Sequence, residues 1–315
     1  MKDKFHEAIC AEGMLKSMKI RSYTAKDDTA AIALWNTTLK EDKINRENFY
    51  TRVICDNGFD PNLYLLAEEN GELVGFIYGA KSAEKAWIIA MGVDPNHRRK
   101  GIGRVLVSAF ETATGAKTID IGGYTGSYFF PGVDQKNYAD AIEFFKNLGY
   151  GEIGVNASMD LNLREYETPT KYIERRKKLE SEGYTFGAFK LEDSLPLFEF
   201  FRKHFPYWLD GAKANILRGV GHETIQIAKN PAGEVIGYAM RASDGTPGRF
   251  GPFGVSNDQQ GTGVGGILFH NLISDMVERR IFYTWFLWTG GRNLDIYAAW
   301  GMEQYRVYSR MEKTI

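Results

Sequence analysis

The sequence predicts a mixed α/β protein made of two similar domains in tandem. Its 315 residues amount to about twice the length of a common domain. A hydrophobic content of 43% with 25% charged residues is typical of a globular chain that buries a core. The third observation is an internal repeat, which divides the chain into two halves with one shared pattern.

Two separate segments of the first half recur in the second half at one fixed spacing. GELVGF at 71–76 matches GEVIGY at 233–238, which begins 162 residues later (from 71 to 233). GIG at 101–103 matches GVG at 263–265 with the same spacing. A spacing kept without slippage indicates a duplicated domain.

The elements of the first half follow from the periodicity of its apolar residues. Asn70-Gly71 separates two alternating runs and predicts a hairpin with a tight turn. The predicted elements are a helix over 28–39 and strands over 20–23, 63–68, 73–79 and 86–93.

The second half has the same order of elements. A turn at 231–233 (Pro-Ala-Gly) separates two of its strands. The apolar run at 281–288 is far shorter than the roughly 18 residues that span a bilayer, so we expect a buried strand there. The predicted elements are a helix from Asp193 and strands over 186–191, 224–229, 235–240, 250–255 and 281–288.

These elements set the expected domain boundaries. We expect similar domains at 19–163 and 184–315, with a linker at 164–183 that contains a charged helix over 170–182. Its cations should face solvent, with a binding patch as the alternative: Arg175, Arg176, Lys177 and Lys178. Residues 1–18 match nothing in the repeat and are expected to form an N-terminal extension.

Charge and cysteine content limit the partners. With 39 basic and 40 acidic residues the net charge is −1, so we expect no nucleic-acid or membrane partner. Cys10 and Cys55 are too few for a disulfide framework or a zinc cluster, so no metal is expected. With no leader recognised, a cytoplasmic location is expected.

Each half places a glycine pair between a strand and a helix. The segments are Arg98–Gly103 and Gln260–Gly265. Unpaired backbone N–H groups at a helix N-terminus attract anions, and glycine lets a phosphate approach without a Cβ in the way. Because tight strand-to-helix turns also use glycine for steric reasons, a single copy would be weak support for an anion site.

Both segments resemble the pyrophosphate loop of the GNAT superfamily of N-acetyltransferases, (Gln/Arg)-x-x-Gly-x-(Gly/Ala). The resemblance covers the order of elements over about 19–163 and 184–313. It implies that each domain is a twisted, mixed, largely antiparallel sheet flanked by helices. It also implies acetyl-CoA as cosubstrate and N-acyl transfer as the reaction.

The resemblance further implies which residues bind the coenzyme. The loops would hold the CoA pyrophosphate, and the preceding strands would hold the acyl-pantetheine arm. The implied residues are Met91, Val93, Arg98, Arg99, Lys100, Gly101, Ile102 and Gly103 in the first half and Phe253, Val255, Gln260, Gly261, Gly263, Val264 and Gly265 in the second.

The two halves differ at the position of the family's general acid. The departing thiolate needs a proton, and a tyrosine of pKa about 10 can supply it to a thiol of pKa about 8.5. In the GNAT family such a tyrosine often lies four residues before a glycine, as Tyr297 does before Gly301, whereas Phe145 precedes Gly149. Tyr297 is therefore the catalytic candidate, with simple packing of its ring as the alternative.

Several questions stay open at this point. The first loop has three cations, whereas the second has Asp258 and no basic residue. The general base is unassigned, with Asp210, Glu223, Asp244 and water as options. The aromatic segment 205–208 either walls the acceptor site or packs in the core.

The leading hypothesis is an N-acetyltransferase that acts on a primary amine of a small molecule, with catalysis in the C-terminal half. The alternative is a non-catalytic protein that binds acyl-CoA. The acceptor, the acyl-chain preference and the oligomeric state do not follow from these residues.

Overall fold

The computed structural model describes residues 18–315, so the expected extension at 1–18 lies outside the described residues except for Met18. The described chain forms two compact units. The N-terminal unit runs to Ala157 and also includes residues 306–315, and the C-terminal unit is 158–305.

Every strand and helix expected from the sequence is present, with small differences at the ends. The strands are β1 (Met18–Ser22), β2 (Tyr64–Glu69), β3 (Glu72–Ser82), β4 (Lys85–Val93), β5 (Thr118–Ile121), β6 (Val133–Asp134), β7 (Gly151–Asn162), β8 (Thr185–Ala188), β9 (Ile225–Lys229), β10 (Val235–Arg241), β11 (Phe250–Val255), β12 (Tyr283–Gly290) and β13 (Glu303–Thr314). The helices are α1 (Asp28–Thr38), α2 (Arg46–Phe49), α3 (Ile102–Thr114), α4 (Ala139–Lys146), α5 (Thr170–Ser181), α6 (Ser194–His204), α7 (Leu209–Leu217), α8 (Gly221–Thr224), α9 (Val264–Glu278) and α10 (Arg292–Ala299).

The N-terminal unit is built on a largely antiparallel sheet with the strand order β1-β2-β3-β4-β5-β13. The expected hairpin joins β2 and β3. Asn70 (φ 52°) and Gly71 (φ 85°) are both left-handed, as a tight two-residue hairpin turn requires. Helix α1 packs on one face of the sheet and α3 on the other.

From Arg306 onward, the last strand of the chain belongs to the N-terminal unit. Met311 of β13 pairs with Ile121 of β5 in antiparallel register and is buried in the core under α3. The expected second domain, 184–315, therefore includes a strand that completes the sheet of the other unit. Alternating hydrophobicity predicts a strand but does not indicate which sheet edge the strand joins, so the sequence did not reveal this pairing.

The C-terminal unit repeats the first four strands of the N-terminal unit. Its antiparallel sheet has the order β11-β10-β9-β8, with α6 packed on one face and α9 on the other. Gly101 and Gly263 occupy equivalent positions, since each is left-handed (φ 85° and 93°) directly before α3 or α9. The expected fold class, two tandem α/β domains with largely antiparallel sheets, is confirmed.

The apolar run at 281–288 forms a strand with one buried face. In β12, Thr284 and Phe286 are buried, whereas Tyr283 is 49% exposed. The expected strand is therefore present, but only alternate side chains enter the core. Among residues 18–315, no helix is long and apolar enough to cross a membrane.

Shortening Met311 to alanine should destabilise the N-terminal unit. The side chain is 1% exposed, and truncating a buried methionine typically costs about 2–5 kcal/mol because a cavity remains. Its neighbour Arg310 is exposed, so Arg310→Ala should change the free energy of unfolding by less than about 0.5 kcal/mol. Hydrogen exchange of β4 and β5 amides measures both effects. Equal losses in the two variants would contradict the pairing of β13 with β5.

Candidate functional site

Each unit has a glycine loop between a strand and the N-terminus of a long helix. In the N-terminal unit a single helical turn over Pro95–His97 follows β4. Arg98 Nε then donates to the Val93 carbonyl at 3.1 Å, and Gly101 reverses the chain into α3. The first amides of α3 have no acceptor within the helix and therefore open onto this loop.

The loop of the C-terminal unit has the same construction. Gly261 and Gly263 have positive φ angles of 79° and 93°. Gln260 Nε2 donates to Asn257 Oδ1 at 3.0 Å, so the side chain equivalent to Arg98 is neutral and bonded within the turn. Both predicted loops are therefore glycine-bent helix starts that can bind an anion.

The second glycine of each loop lies close to an aromatic ring. A Cβ at Gly103 would lie 3.1 Å from the Phe144 ring, and a Cβ at Gly265 would lie 3.2 Å from the Phe253 ring. Glycine therefore leaves the backbone accessible at a crowded position, which a coenzyme phosphate needs in order to contact the amides.

Strands β4 and β5 pair over four residues and then diverge. Lys85–Ile88 pairs in parallel with Thr118–Ile121, and Gly122 N–H donates to the Ile88 carbonyl at 2.8 Å. Beyond this point β4 remains paired with β3 on one side, and its other edge at 89–93 has no strand partner among the described residues. Met91 and Val93, the residues expected to hold the acyl arm, lie in this segment with one open edge.

The same divergence occurs in the C-terminal unit. β12 meets the chain before β11 through a single parallel bridge between Arg249 and Trp285. From that bridge onward the described chain pairs no strand with the outer edge of β11, which includes Phe253 and Val255. The residues expected to bind the acyl arm thus lie on an unpaired edge in both units.

Tyr297 of α10 contacts residues on both sides of this second divergence. Its ring centroid lies 5.9 Å from Phe250 and 6.4 Å from Phe253, both on β11. It lies 4.8 Å from Phe286 of β12. Burial raises the pKa of Tyr238 on β10, and the nearby Tyr297 raises it further. Tyr297 therefore packs in the core and also borders the predicted site.

The equivalent position of the N-terminal unit has no hydroxyl group. Phe145 of α4 is 2% exposed, and its ring packs 5.4 Å from Tyr150. The Tyr150 hydroxyl donates to Glu111 at 3.0 Å and is therefore engaged on α3. The two halves thus differ at this position both in the hydroxyl group and in burial, since Phe145 is buried and Tyr297 is half-buried.

Helix α5 packs against the second loop, which corrects the expectation of a solvated linker helix. Arg175 Nε donates to the Thr262 carbonyl at 2.6 Å. The Tyr172 ring lies 4.1 Å from the His270 ring of α9, and Leu179 is 3% exposed. Tyr172, Arg175 and Leu179 recur at helical spacing, a pattern that could have indicated a buried face.

The carboxylates considered as a base in the second half are distributed widely. Glu223 pairs with Arg279 at 3.2 Å, just beyond the end of α9 that is far from the loop. The 15 residues of α9 separate its ends by roughly 21 Å. Asp244 pairs with Arg249 at 2.9 Å, and Asp210 is exposed on α7. Of these three groups, Glu223 therefore lies far from the second loop.

The aromatic segment 205–208 divides between two environments. A Cβ at Gly254 of β11 would lie 2.5 Å from the Phe205 ring, so Phe205 packs directly on this strand. Phe205 also lies 5.7 Å from Tyr238, whereas Tyr207 is 92% exposed. Phe205 thus packs beside the core and against β11, and its role as a wall of an acceptor site stays a prediction.

The N-terminal unit has a carboxylate that no sequence motif indicated. Asp56 accepts hydrogen bonds from Tyr124 and from Gly58 N–H, the latter at 3.2 Å. The Tyr124 ring lies 5.4 Å from Trp87 of β4. Burial raises the pKa of Asp56, and burial with the Asp56 charge raises the pKa of Tyr124 to about 12. The group is assembled from two loops and one strand, so no local pattern marks it.

Residues 30–150, within the N-terminal unit, match the model of the acetyltransferase (GNAT) family. The acetyltransferase ECA0875 of Pectobacterium atrosepticum is 34% identical over 95 residues, which is 30% of this chain. The matched segment spans 65% of the length of that relative.

Solved structures resemble the whole described fold. A GCN5-related glucosamine N-acetyltransferase region in a fungal multi-domain GH3 β-N-acetylglucosaminidase has a TM-score of 0.78 and 21% identity, covering 94% of this chain and 38% of that one. A tandem GNAT protein from the clavulanic acid biosynthesis pathway has a TM-score of 0.59 and 18% identity, covering 94% and 98%. Residues 30–150 thus match the GNAT family, and the described chain has the fold of two tandem GNAT-like domains.

Proposed function

We propose that this protein is an acetyl-CoA-dependent N-acetyltransferase that acetylates a primary amine of a small molecule, with catalysis in the C-terminal unit. The observation that carries the proposal is the position of Tyr297, which contacts residues of both diverging strands. The match of residues 30–150 to the GNAT family supports the reaction class. The N-terminal unit binds acyl-CoA in a structural or regulatory role.

The described residues fit a CoA ligand at both loops. Each loop offers first-turn amides, at least one left-handed glycine and a second glycine packed under a ring. Each loop also adjoins an unpaired strand edge, whose N–H and C=O groups are suited to the amide groups of a pantetheine arm. The coenzyme would supply the activated acetyl group as its thioester.

The proposed reaction forms one bond and breaks one bond at the thioester carbonyl carbon. The amine nitrogen attacks this carbon, the C–N bond forms and the C–S bond breaks. The nitrogen loses one proton, and the departing thiolate gains one. Tyr297 donates the proton to sulfur, and backbone N–H groups on the open edge of β11 are the donors available to the developing oxyanion.

The acceptor is proposed to be a small amine that enters beside Phe205. This ring packs on β11 at Gly254, next to the strand residues that would hold the acyl arm. The fungal structure of similar fold is described as a glucosamine N-acetyltransferase region, so amino sugars are the first acceptors to test. The exposed free thiol of Cys55 is compatible with a reducing compartment, and a cytoplasmic location is part of this proposal.

Release of free thiol from acetyl-CoA in the presence of a panel of amines tests the function directly. Turnover with one class of amine supports the transferase. The second candidate function, acyl-CoA binding without transfer, is favoured for the N-terminal unit by the buried Phe145. Binding of acetyl-CoA with no thiol release above the uncatalysed rate, for any amine tested, would favour that candidate for the whole chain.

Tyr297→Phe should lower kcat by roughly 10²–10⁴-fold and leave the affinity for acetyl-CoA nearly unchanged. The variant keeps the ring that packs on Phe250 and Phe286 and removes only the proton donor. Steady-state kinetics with the preferred amine measure the effect where chemistry limits the rate.

Tyr184→Phe provides the matched control. It removes a tyrosine hydroxyl from the same unit, directly before β8, and should leave kcat unchanged. Phe145→Tyr combined with Tyr297→Phe should not restore turnover. Full kcat in the Tyr297→Phe variant would contradict the assignment of the C-terminal unit as the catalytic one.

CoA binding at the first loop should depend on salt more steeply than binding at the second loop. Arg98, Arg99 and Lys100 are exposed beside the first loop, and exposed charges are strongly screened by added salt. Hydrogen exchange of segments 98–104 and 260–266, followed during CoA titrations of the full chain at low and high salt, gives the two affinities separately. Equal salt slopes would contradict this difference between the loops.

A further inference from the structure

Arg175 lies directly against the second loop although it is 85 or more residues away in the chain. Its Nε donates to the Thr262 carbonyl at 2.6 Å. A Cβ at Gly263 would lie 3.0 Å from Arg175 Cγ, so the arginine stem and the glycine are in close contact. The left-handed turn of the loop and the position of this side chain are therefore linked.

Neighbouring contacts hold α5 at this position. The Tyr172 ring lies 2.3 Å from the point that a Cβ of Gly266 would occupy. The ring on α5 therefore packs directly against α9 at this glycine. Arg176 Nη1 donates to Asn271 of α9 at 3.2 Å, and Arg176 Nη2 donates to the Phe186 carbonyl of β8 at 3.3 Å. Arg175 is therefore presented to the loop by a packed helix.

Helix α5 flanks the loop and leaves the proposed coenzyme groove accessible. Gly263 and Gly266 face α5, whereas Gly265 faces Phe253 and Trp300 on the other side of α9. The unpaired edge of β11 begins on that other side. An anion held by the first amides of α9 would thus lie between the groove and the Arg175 guanidinium.

The guanidinium retains donors for such an anion. Arginine has five N–H donors, and the bond to Thr262 uses the one on Nε. Within residues 18–315, no hydrogen bond or ion pair of the two Nη groups is found. The Nε bond orients the planar guanidinium, and the residue as a whole is only half-buried.

We propose that Arg175 is the phosphate-binding cation of the second loop and takes the place that the charged residues of the first loop have there. The inference rests on the proposed function, because it assigns a residue to the coenzyme site. It explains how a loop with Gln260 and Asp258 binds a diphosphate without a basic residue of its own. The chemical class recognised is the diphosphate of a nucleotide coenzyme.

The experiment measures CoA affinity at each loop separately in the full chain. Hydrogen exchange of segments 260–266 and 98–104 is followed as CoA is added to wild type and to Arg175→Ala. Arg175→Ala should weaken CoA binding at 260–266 by about ten- to a hundredfold, the range typical of one hydrogen bond to a charged group. Binding at 98–104 should stay within twofold of wild type.

Lys177→Ala is the matched control because it removes one positive charge from an exposed position of the same helix. It should change CoA affinity at 260–266 by less than twofold. If Arg175→Ala prevents folding of α5, Arg175→Lys provides the test: it keeps the charge without the planar fork and should weaken binding about three- to tenfold. Thermal unfolding of each variant shows whether Arg175→Ala is folded, and therefore whether Arg175→Ala or Arg175→Lys is the variant to use.

The outcomes separate this inference from the proposed function. Equal effects of Arg175→Ala and Lys177→Ala would overturn the role of Arg175, since only the general field would then matter. Tighter CoA binding in Arg175→Ala, or wild-type affinity in Arg175→Lys, would also overturn it. Absence of CoA-dependent protection at 260–266 in the wild-type chain would overturn the coenzyme site itself, and this inference with it.

Discussion

The divergence of two strands is the constraint on which the rest of each site depends. β4 and β5 share four paired residues and then separate, so the end of β4 has backbone groups without a strand partner. Unsatisfied backbone groups are costly when buried, so a fold keeps such an edge only where another partner or water can reach it. The glycine loop follows at the end of the same strand, so topology sets the position of the proposed coenzyme site before any side chain is considered.

Duplication preserved this backbone construction but not the side chains around it. Both loops keep a left-handed glycine before the helix, because replacing it would strain the turn that aims the amides. The positions that carry charge and hydroxyl groups are not bound by that constraint. Phe145 and Tyr297 both pack in cores, yet only one of them has a hydroxyl group that can serve chemistry.

Local features of this fold were predictable from the sequence, and contacts between distant segments were not. The hairpin at Asn70-Gly71 and both helix starts depend on a few adjacent residues, so their patterns are read directly. The pairing of Met311 with Ile121 depends on which sheet edge is open, and hydrophobic alternation does not encode that choice. The Asp56–Tyr124 group was not predictable for the same reason, since its members come from separate loops.

The charge around the second loop is another property that the residues of the loop alone do not predict. Counting basic residues within the loop gives none, and this count treats the loop as if it were isolated. A helix that packs on α9 can bring a cation to the loop from any distance in sequence, provided that the buried face of this helix fixes which of its residues lies beside the loop. Tyr172 and Leu179 supply that face, and with it they determine where Arg175 lies. The electrostatics of a site on a helix start therefore depend on the helices packed beside it as well as on its own motif.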